Sequence, residues 1–268
     1  MRIAAFLLAL MPLAADAATC ITDKSAFGGY KSNFAADARA AGVGAAGLNA
    51  LANAGMSDIT WRFESRPSTQ TGTLQSDPAT FLAKRSGSSA EAFVSLAKRK
   101  ITNNPNTFAT IEGYFGVPSS ILATIWGLET SFGGYLGGSR IVGSAVTLSS
   151  YCRRHPRFEP HAIAALQLVD QGVITPATKG GPSGELGHMQ FLAGNWQRFG
   201  VDATGDGKAD PYNAVDALAS AANMLRENGW RAGQPYQPGT RNFEVLSAWN
   251  DSGNYQRAIA YAAGLIDG

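Results

Sequence analysis

One glutamate, embedded in the apolar face of a predicted helix, constrains this chain more than any other feature. The segment 117–133 opens with a proline and two serines, which predict a helix start capped by Ser119 or Ser120. Glu129 follows Ile125 by four positions and therefore continues the apolar stripe. Burial there raises the pKa of a carboxyl group, and a carboxyl that keeps its proton is what a general acid needs. The alternative is a structural glutamate paired with an arginine or with backbone amides.

The rest of the chain predicts many short helices. Residues 34–56 are rich in Ala and Gly and predict one or two weak helices, whereas residues 64–77 are polar and predict an extended surface loop. The clearest helix boundaries are a capping box at Ser88 and Glu91, a stop at Gly116 and a cap at Asn213. Alternating strand patterns are scarce, so the expected class is mainly α with at most a minor β component.

The first 18 residues match an export signal. Arg2 supplies the positive start, an apolar core follows, and a small-x-small site predicts cleavage after Ala17 or Ala18. Thr19 precedes the first cysteine where a lipoprotein signal has Gly or Ala, so no lipid anchor is expected. The mature chain, residues 19–268, is expected to be a periplasmic monomer without a transmembrane segment.

The predicted export bears on the state of the two cysteines. Cys20 and Cys152 are the only pair, and an oxidising compartment favours a disulfide between them over two free thiols. The net charge of +2 and the absence of any basic run longer than residues 98–100 argue against nucleic acid as a partner.

Four ordered motifs carry a family resemblance. Residues 125–133, 184–192, 202–210 and 246–255 resemble the catalytic, Gly-x-x-Gly-x-x-Gln-Phe, calcium-loop-like and C-terminal Tyr/Trp-Asn motifs of the family B lytic transglycosylases. The resemblance implies a lysozyme-like fold. On this basis residues 19–268 form the catalytic domain, in which helices at about 25–104 pack on a core at about 105–268.

The resemblance also implies a reaction. Members of the family cut the β-1,4 bond between N-acetylmuramic acid and N-acetylglucosamine in peptidoglycan strands without water, and they leave 1,6-anhydro ends. A single glutamate, here Glu129, acts as acid and then as base, with no required cofactor. Glu185 is the nearest rival carboxylate, and its alternative role is that of a turn residue. A hydrolytic muramidase on the same fold and a non-catalytic peptidoglycan-binding protein remain the competing interpretations.

Substrate-binding residues are expected around this glutamate. Gln190 can bond a sugar acetamido group or hydroxyl, or it can hold two loops together. Trp249 can stack on a sugar ring or pack in the core, and Asn250 can bond hydroxyls or orient the glutamate. Ser131, just after the glutamate, and Phe158, where some relatives have a tyrosine, complete the expected set.

The motif at 202–210 can also be aligned with a calcium-binding loop. Asp202, Thr204, Asp206, the Lys208 carbonyl and Asn213 fall at ligand positions, with Asn213 in place of the usual bidentate glutamate. A structural calcium or sodium ion is one interpretation. An empty turn held by Asx hydrogen bonds is the other.

Overall fold

The computed structural model describes residues 18–66 and 76–268. The predicted export signal, apart from Ala18, and the middle of the predicted loop at 64–77 lie outside the described residues. Within the described ranges the chain forms a short 3-10 helix (Lys24–Ala26) and thirteen α-helices. The α-helices are α1 (Phe27–Ala40), α2 (Ala45–Asn53), α3 (Asp58–Ser65), α4 (Pro78–Ser86), α5 (Ala90–Asn103), α6 (Pro105–Phe115), α7 (Ser119–Thr130), α8 (Ile141–Ser150), α9 (Glu159–Asp170), α10 (Ala193–Phe199), α11 (Ala214–Glu227), α12 (Arg241–Trp249) and α13 (Gly253–Asp267). None of these helices combines the length and the apolar character that a bilayer span requires.

Strand structure is minor. Two-residue strands β1 (Ser139–Arg140) and β2 (Lys179–Gly180) pair antiparallel, with Ser139 opposite Gly180. They join the loop before α8 to the loop after α9, and the part of the chain that the structure describes contains no other named strand. The expectation of a mainly α fold is therefore confirmed.

Helix α7 is the centre of the molecule. Every residue from Ser120 to Leu128 is buried, and α4, α5, α6, α11 and α13 pack around it. A helix that is apolar on all sides belongs in a protein core. Glu129, in the last turn, is partly exposed, so the central helix reaches a surface at this carboxylate.

The N-terminus of α7 differs from the prediction. Neither Ser119 nor Ser120 caps the helix, because Pro118 occupies the cap position and Ser119 is already helical. The side chain of Glu112, from α6, caps the helix instead. Its Oε2 accepts hydrogen bonds from the backbone N–H of Ser119 at 2.9 Å and from the hydroxyl of Ser119 at 2.6 Å. A carboxylate at this end is favourable because the helix dipole is positive there.

Two other predicted helix boundaries agree with the structure, and a third is shifted by one residue. Gly116 ends α6 in the left-handed conformation at φ 71°, and the Asn213 side chain caps α11 by accepting the Val215 N–H. The cap of α5 lies one residue later than predicted, because Ser89 rather than Ser88 accepts the Ala92 N–H.

Helix α8 has no counterpart among the sequence-based predictions. All ten of its residues are buried, although its sequence is rich in Ser, Thr, Val and Ile. These residues have modest helix propensity, so packing against α9, α1 and α3 stabilises the helix.

The N-terminal helices pack directly on the rest of the chain. Helix α1 contacts α8, α2 contacts α9, α4 contacts α13 and α5 contacts α7. The Asp170 carboxylate, at the end of α9, accepts the N–H groups of Gly44 and Gly47 at 2.6 and 2.8 Å and so caps α2. Buried side chains from both parts belong to one hydrophobic cluster. The predicted boundary near residue 105 stays a prediction.

A disulfide anchors the beginning of the described chain. Cys20 is bonded to Cys152, as expected, and Ile21 pairs with the same segment through hydrogen bonds to the Ser150 carbonyl and from the Cys152 N–H. Beside it, the buried Glu64 carboxylate contacts the guanidinium groups of both Arg153 and Arg154. The N-terminal segment is therefore held to the middle of the chain by covalent, backbone and ionic contacts.

Replacing both Cys20 and Cys152 with serine is expected to lower the free energy of unfolding by about 3–5 kcal/mol. The reason is that the disulfide closes a long loop and restricts the unfolded chain. Denaturant unfolding under non-reducing conditions measures the effect. A reductant should destabilise the wild type and leave the double variant unchanged; equal stability of the two proteins would contradict the expectation.

Candidate active site

One cleft, with a volume of about 580 Å³, brings together most of the residues that the sequence analysis singled out. The end of α7, the loops at 135–139 and 181–185, and the turn between α12 and α13 form its walls. Helices α3 and α4 contribute Ile59 and Arg85. The predicted site residues in its lining are Glu129, Phe158, Gln190, Trp249 and Asn250.

Two donors hold one oxygen of Glu129. The Trp249 indole Nε1 donates to Glu129 Oε1 at 3.0 Å, and the Tyr255 hydroxyl donates to the same oxygen at 2.6 Å. Within the described chain no hydrogen bond reaches Glu129 Oε2. The carboxyl group is therefore fixed by one oxygen and keeps the other for a ligand in the cleft.

The surroundings of Glu129 favour its protonated form. Burial raises the pKa of Glu129, against the hydrogen bonds from Tyr255 and Trp249 and the positive charge of Arg85, which lower it. The negative charge of Glu185 raises it further. Burial, with the nearby Glu129, also raises the pKa of Tyr255 well above its usual value, so this phenol remains a donor. A carboxyl group whose protonated form is favoured in this way is suited to donate a proton to a ligand in the cleft.

The sequence analysis offered Asn250 as the residue that could orient Glu129, but Trp249 makes this contact in the structure. Trp249, rather than Asn250, contacts Glu129, and its ring packs edge-on against Phe191 with 5.3 Å between centroids. Asn250 lines the cleft, but its Oδ1 accepts the Ser252 N–H at 3.0 Å and so shapes the turn before α13.

Gln190 has the contacts of one of its two expected roles, that of holding two loops together. Its Nε2 donates to the carbonyl oxygens of Gly187 at 2.8 Å and Leu136 at 3.3 Å, which ties two loops together. Because both amide hydrogens are used, Oε1 is the atom that remains for a ligand.

Phe158 and Ser131 have different positions. Phe158 lies in the lining, flanked by the guanidinium groups of Arg154 and Arg157. Ser131 is exposed and does not line the cleft. It ends α7 in the left-handed conformation at φ 51°, where the chain turns away from the helix axis, and this explains why a residue so close to Glu129 lies outside the site.

Three residues of the cleft region were missed as site residues by the sequence analysis. Tyr255 is the last residue of the C-terminal motif at 246–255, and its position six residues after Trp249 is the signal that could have identified it. Glu185 was considered only as a rival carboxylate. Arg85 belongs to α4, far from every motif, and no local pattern marks it.

The loop at 202–210 has the hydrogen bonds of the Asx alternative. Asp202 accepts the N–H groups of Gly205 and Gly207, both at 2.7 Å, and Lys208 donates through its ammonium to the Gly172 carbonyl. The predicted ligand oxygen of Asn213 instead caps α11. Buried Asp216 accepts three further backbone N–H groups, those of residues 203, 204 and 210. Across residues 18–66 and 76–268, no three His, Cys, Asp or Glu side chains converge as metal ligands.

Comparison with known families decides the class of this chain. Residues 26–239 match the family model described as the transglycosylase SLT domain. The chain belongs to this family. Among curated proteins, this transglycosylase-domain chain is 34% identical over 121 residues to the membrane-bound lytic murein transglycosylase B of Escherichia coli (strain K12). That alignment spans 44% of the chain and only 34% of the relative.

Several solved structures have the same fold as this protein. SltB3 from Pseudomonas aeruginosa, in complex with NAG-NAM-pentapeptide, has a TM-score of 0.78 at 21% identity and covers 90% of this chain and 80% of its own. Escherichia coli Slt35, solved in complex with calcium, has a TM-score of 0.74 at 20% identity and covers 88% and 92%. SltB1 from Pseudomonas aeruginosa has a TM-score of 0.76 at 21% identity and covers 88% and 97%. The lysozyme-like fold that the sequence predicted is thereby confirmed.

Glu129→Gln is expected to make this transglycosylase-domain protein more stable at neutral pH. Because the folded pKa of Glu129 is raised, its protonated form contributes stability below the unfolded pKa, and this contribution is lost as the pH rises through the folded pKa. Glutamine keeps an acceptor oxygen for Trp249 and Tyr255. Melting temperatures across a pH series should therefore show an advantage for the variant that grows with pH. A pH-independent difference, like that expected for the exposed control Glu227→Gln, would contradict this.

Tyr255→Phe is expected to raise the pKa of Glu129 further. The hydrogen bond from Tyr255 is the largest of the effects that lower this pKa, so its loss leaves burial less opposed. Trp249→Phe should shift the pKa in the same direction by a smaller amount. Carbon-13 NMR titration of the glutamate carboxyls measures both shifts, with the exposed Tyr114→Phe as control, and a downward shift would show that these bonds do not favour the ionised form.

Proposed function

We propose that this protein is a lytic transglycosylase that cleaves the β-1,4 bond between N-acetylmuramic acid and N-acetylglucosamine and leaves 1,6-anhydro-muramyl ends. The main support is the Glu129 carboxyl group, which is partly buried in a cleft. Its Oε1 is held by two hydrogen bonds, and no hydrogen bond from the described residues reaches its Oε2. Membership of the transglycosylase SLT family supports the reaction class. The complex of SltB3 with NAG-NAM-pentapeptide supports a peptidoglycan ligand.

The first step is acid catalysis. Protonated Glu129 donates its proton from Oε2 to the oxygen that bridges the two sugars, while the bond from this oxygen to the muramyl C1 breaks. The N-acetylglucosamine part leaves with a new hydroxyl group. Trp249 and Tyr255 keep their hydrogen bonds to Oε1 throughout, and these bonds strengthen when the carboxylate carries its charge.

The second step returns the proton to the same group. The Glu129 carboxylate takes a proton from the muramyl C6 hydroxyl as its oxygen forms a bond to C1, which closes the anhydro ring. The enzyme is then protonated as at the start. Because the same carboxyl serves as acid and base, the cycle needs no cofactor.

The remaining cleft residues are proposed to bind the glycan. Gln190 offers Oε1 to a sugar N–H or O–H group, and Asn250 offers its amide nitrogen. Phe158 and the partly exposed Trp249 provide apolar surface for sugar rings. Peptidoglycan lies outside the cytoplasm, so we further propose that the protein is exported and acts in the periplasm, in agreement with its disulfide.

One observation favours a second candidate, a hydrolytic muramidase. Glu185 lines the same cleft as Glu129, and glycosidases that use water require a second carboxylate near the scissile bond. In that reaction Glu185 would take a proton from water, whose oxygen then bonds to C1. The two candidates differ in one product.

Mass spectrometry of the products from purified sacculi distinguishes the candidates. We expect muramyl ends that are one water lighter than reducing ends. Glu129→Gln should lower the rate by at least about a hundredfold, because the proton donor is lost, whereas Glu227→Gln on the exposed end of α11 should match the wild type.

Reducing ends as the main product would identify the muramidase. If Glu129→Gln digests sacculi at the wild-type rate, Glu129 is not the catalyst. If the wild-type protein binds sacculi and releases no fragment, the competing interpretation of a peptidoglycan-binding protein is correct.

A further inference from the structure

Two oxygen atoms converge over a glycine in the wall of the cleft. Gly181 is buried, and a Cβ atom on it would collide with Glu185 Oε2 and lie only 2.6 Å from Gln190 Oε1. The φ of Gly181 is not positive, so the backbone conformation does not itself require glycine. The absence of a side chain instead leaves space for the two oxygen atoms. Glycine at this position therefore lets the Glu185 carboxylate and the Gln190 amide approach the same point.

Both groups present acceptors and no donor at this point. Gln190 uses both amide hydrogens on the Leu136 and Gly187 carbonyls, so only its Oε1 is left. Glu185 Oε2 accepts one hydrogen bond, from the Ser183 N–H at 2.7 Å, and no hydrogen bond from the described residues reaches its Oε1. A site made of acceptors alone binds a ligand that brings donors.

Among the described residues, the Glu185 carboxylate also has no counter-ion within ion-pair distance. The described residues form ion pairs at Glu64, Asp58, Glu159 and Glu227, and none at Glu185. The contrast with Glu64 is direct, since two arginines neutralise that carboxylate. The negative charge of Glu185 is thus available to a ligand in the cleft.

We propose that Glu185 and Gln190 form a subsite for the nitrogen on C2 of a hexosamine, and that it accepts a free ammonium as well as an acetamide. The proposal rests on the proposed function in one respect, namely that the cleft holds a glycan strand. An acetamide offers one N–H group, whereas an ammonium offers three and a positive charge. A hydrogen bond between two charged groups is about twice as strong as a neutral one. The substrate class would therefore include de-N-acetylated strands.

Glu185→Gln separates this role from a purely structural one. Glutamine keeps an oxygen that can accept the Ser183 N–H, so the turn at 181–185 is preserved while the charge is lost. Gly181→Ala is the complementary change, because its methyl group occupies the point where the two oxygens meet. Gly113→Ala, which has open space around it in α6, is the matched control for a glycine change. Glu227→Gln is the control for charge.

Isothermal titration calorimetry with chitin and chitosan hexamers tests the proposal. These oligomers of N-acetylglucosamine and glucosamine are titrated into Glu129→Gln protein at mildly acidic pH, where the amines are protonated and no turnover occurs. We expect the chitosan hexamer to bind at least as tightly as the chitin hexamer. Adding Glu185→Gln should weaken chitosan binding about tenfold and chitin binding less. Adding Gly181→Ala should weaken both, and neither control should change the ratio.

Two results would overturn the subsite. One is a chitosan hexamer that binds at least tenfold more weakly than the chitin hexamer to the Glu129→Gln protein. The other is a ratio of affinities that Glu185→Gln leaves unchanged although thermal melting shows a folded variant. Neither measurement depends on catalysis, so an absence of anhydro products from sacculi would refute the proposed reaction and leave this subsite standing.

Discussion

The structure depends on the burial of one carboxyl group at the end of a buried helix. An ionised carboxylate taken out of water is costly unless hydrogen bonds or charges compensate for the lost hydration. Around Glu129 the compensation is partial, because two neutral donors share a single oxygen and Arg85 acts only through its charge. The group is held in place without being forced to ionise. That balance links the packing of α7 to the chemistry of the cleft.

The N-terminal helices take part in this balance. Helix α4 supplies Arg85, α3 supplies Ile59 to the cleft wall, and α5 covers α7 from one side. The disulfide and the capping of α2 by Asp170 hold these helices against the rest of the chain. Helices α3, α4 and α5 are therefore part of the site, since without them Glu129 would lose a nearby positive charge and part of its cover.

Sequence-based predictions succeeded where a residue type has a strong local meaning. Gly116 and Asn213 mark the end of α6 and the start of α11 because a left-handed stop and an Asn cap depend only on neighbouring residues. The predictions failed where contacts between residues distant in sequence determine the local structure. Helix α8 has a sequence of weak helix propensity, and it forms because other helices surround it on all sides. The cap of α7 comes from Glu112 in the preceding helix. Ser131 is near Glu129 in sequence and yet outside the cleft, because the helix ends there.

The sequence by itself determined the class of fold, the disulfide pair and the identity of the central carboxyl group. Periodicity places Glu129 on an apolar face, and two cysteines allow only one pairing. Tertiary structure alone decided which atoms meet that carboxyl: Tyr255 and Trp249 on one oxygen, and Glu185 close enough for its charge to act. Helical periodicity and capping describe neighbours a few positions apart, whereas these contacts join residues more than fifty positions apart, and only the packing of the helices brings them within reach.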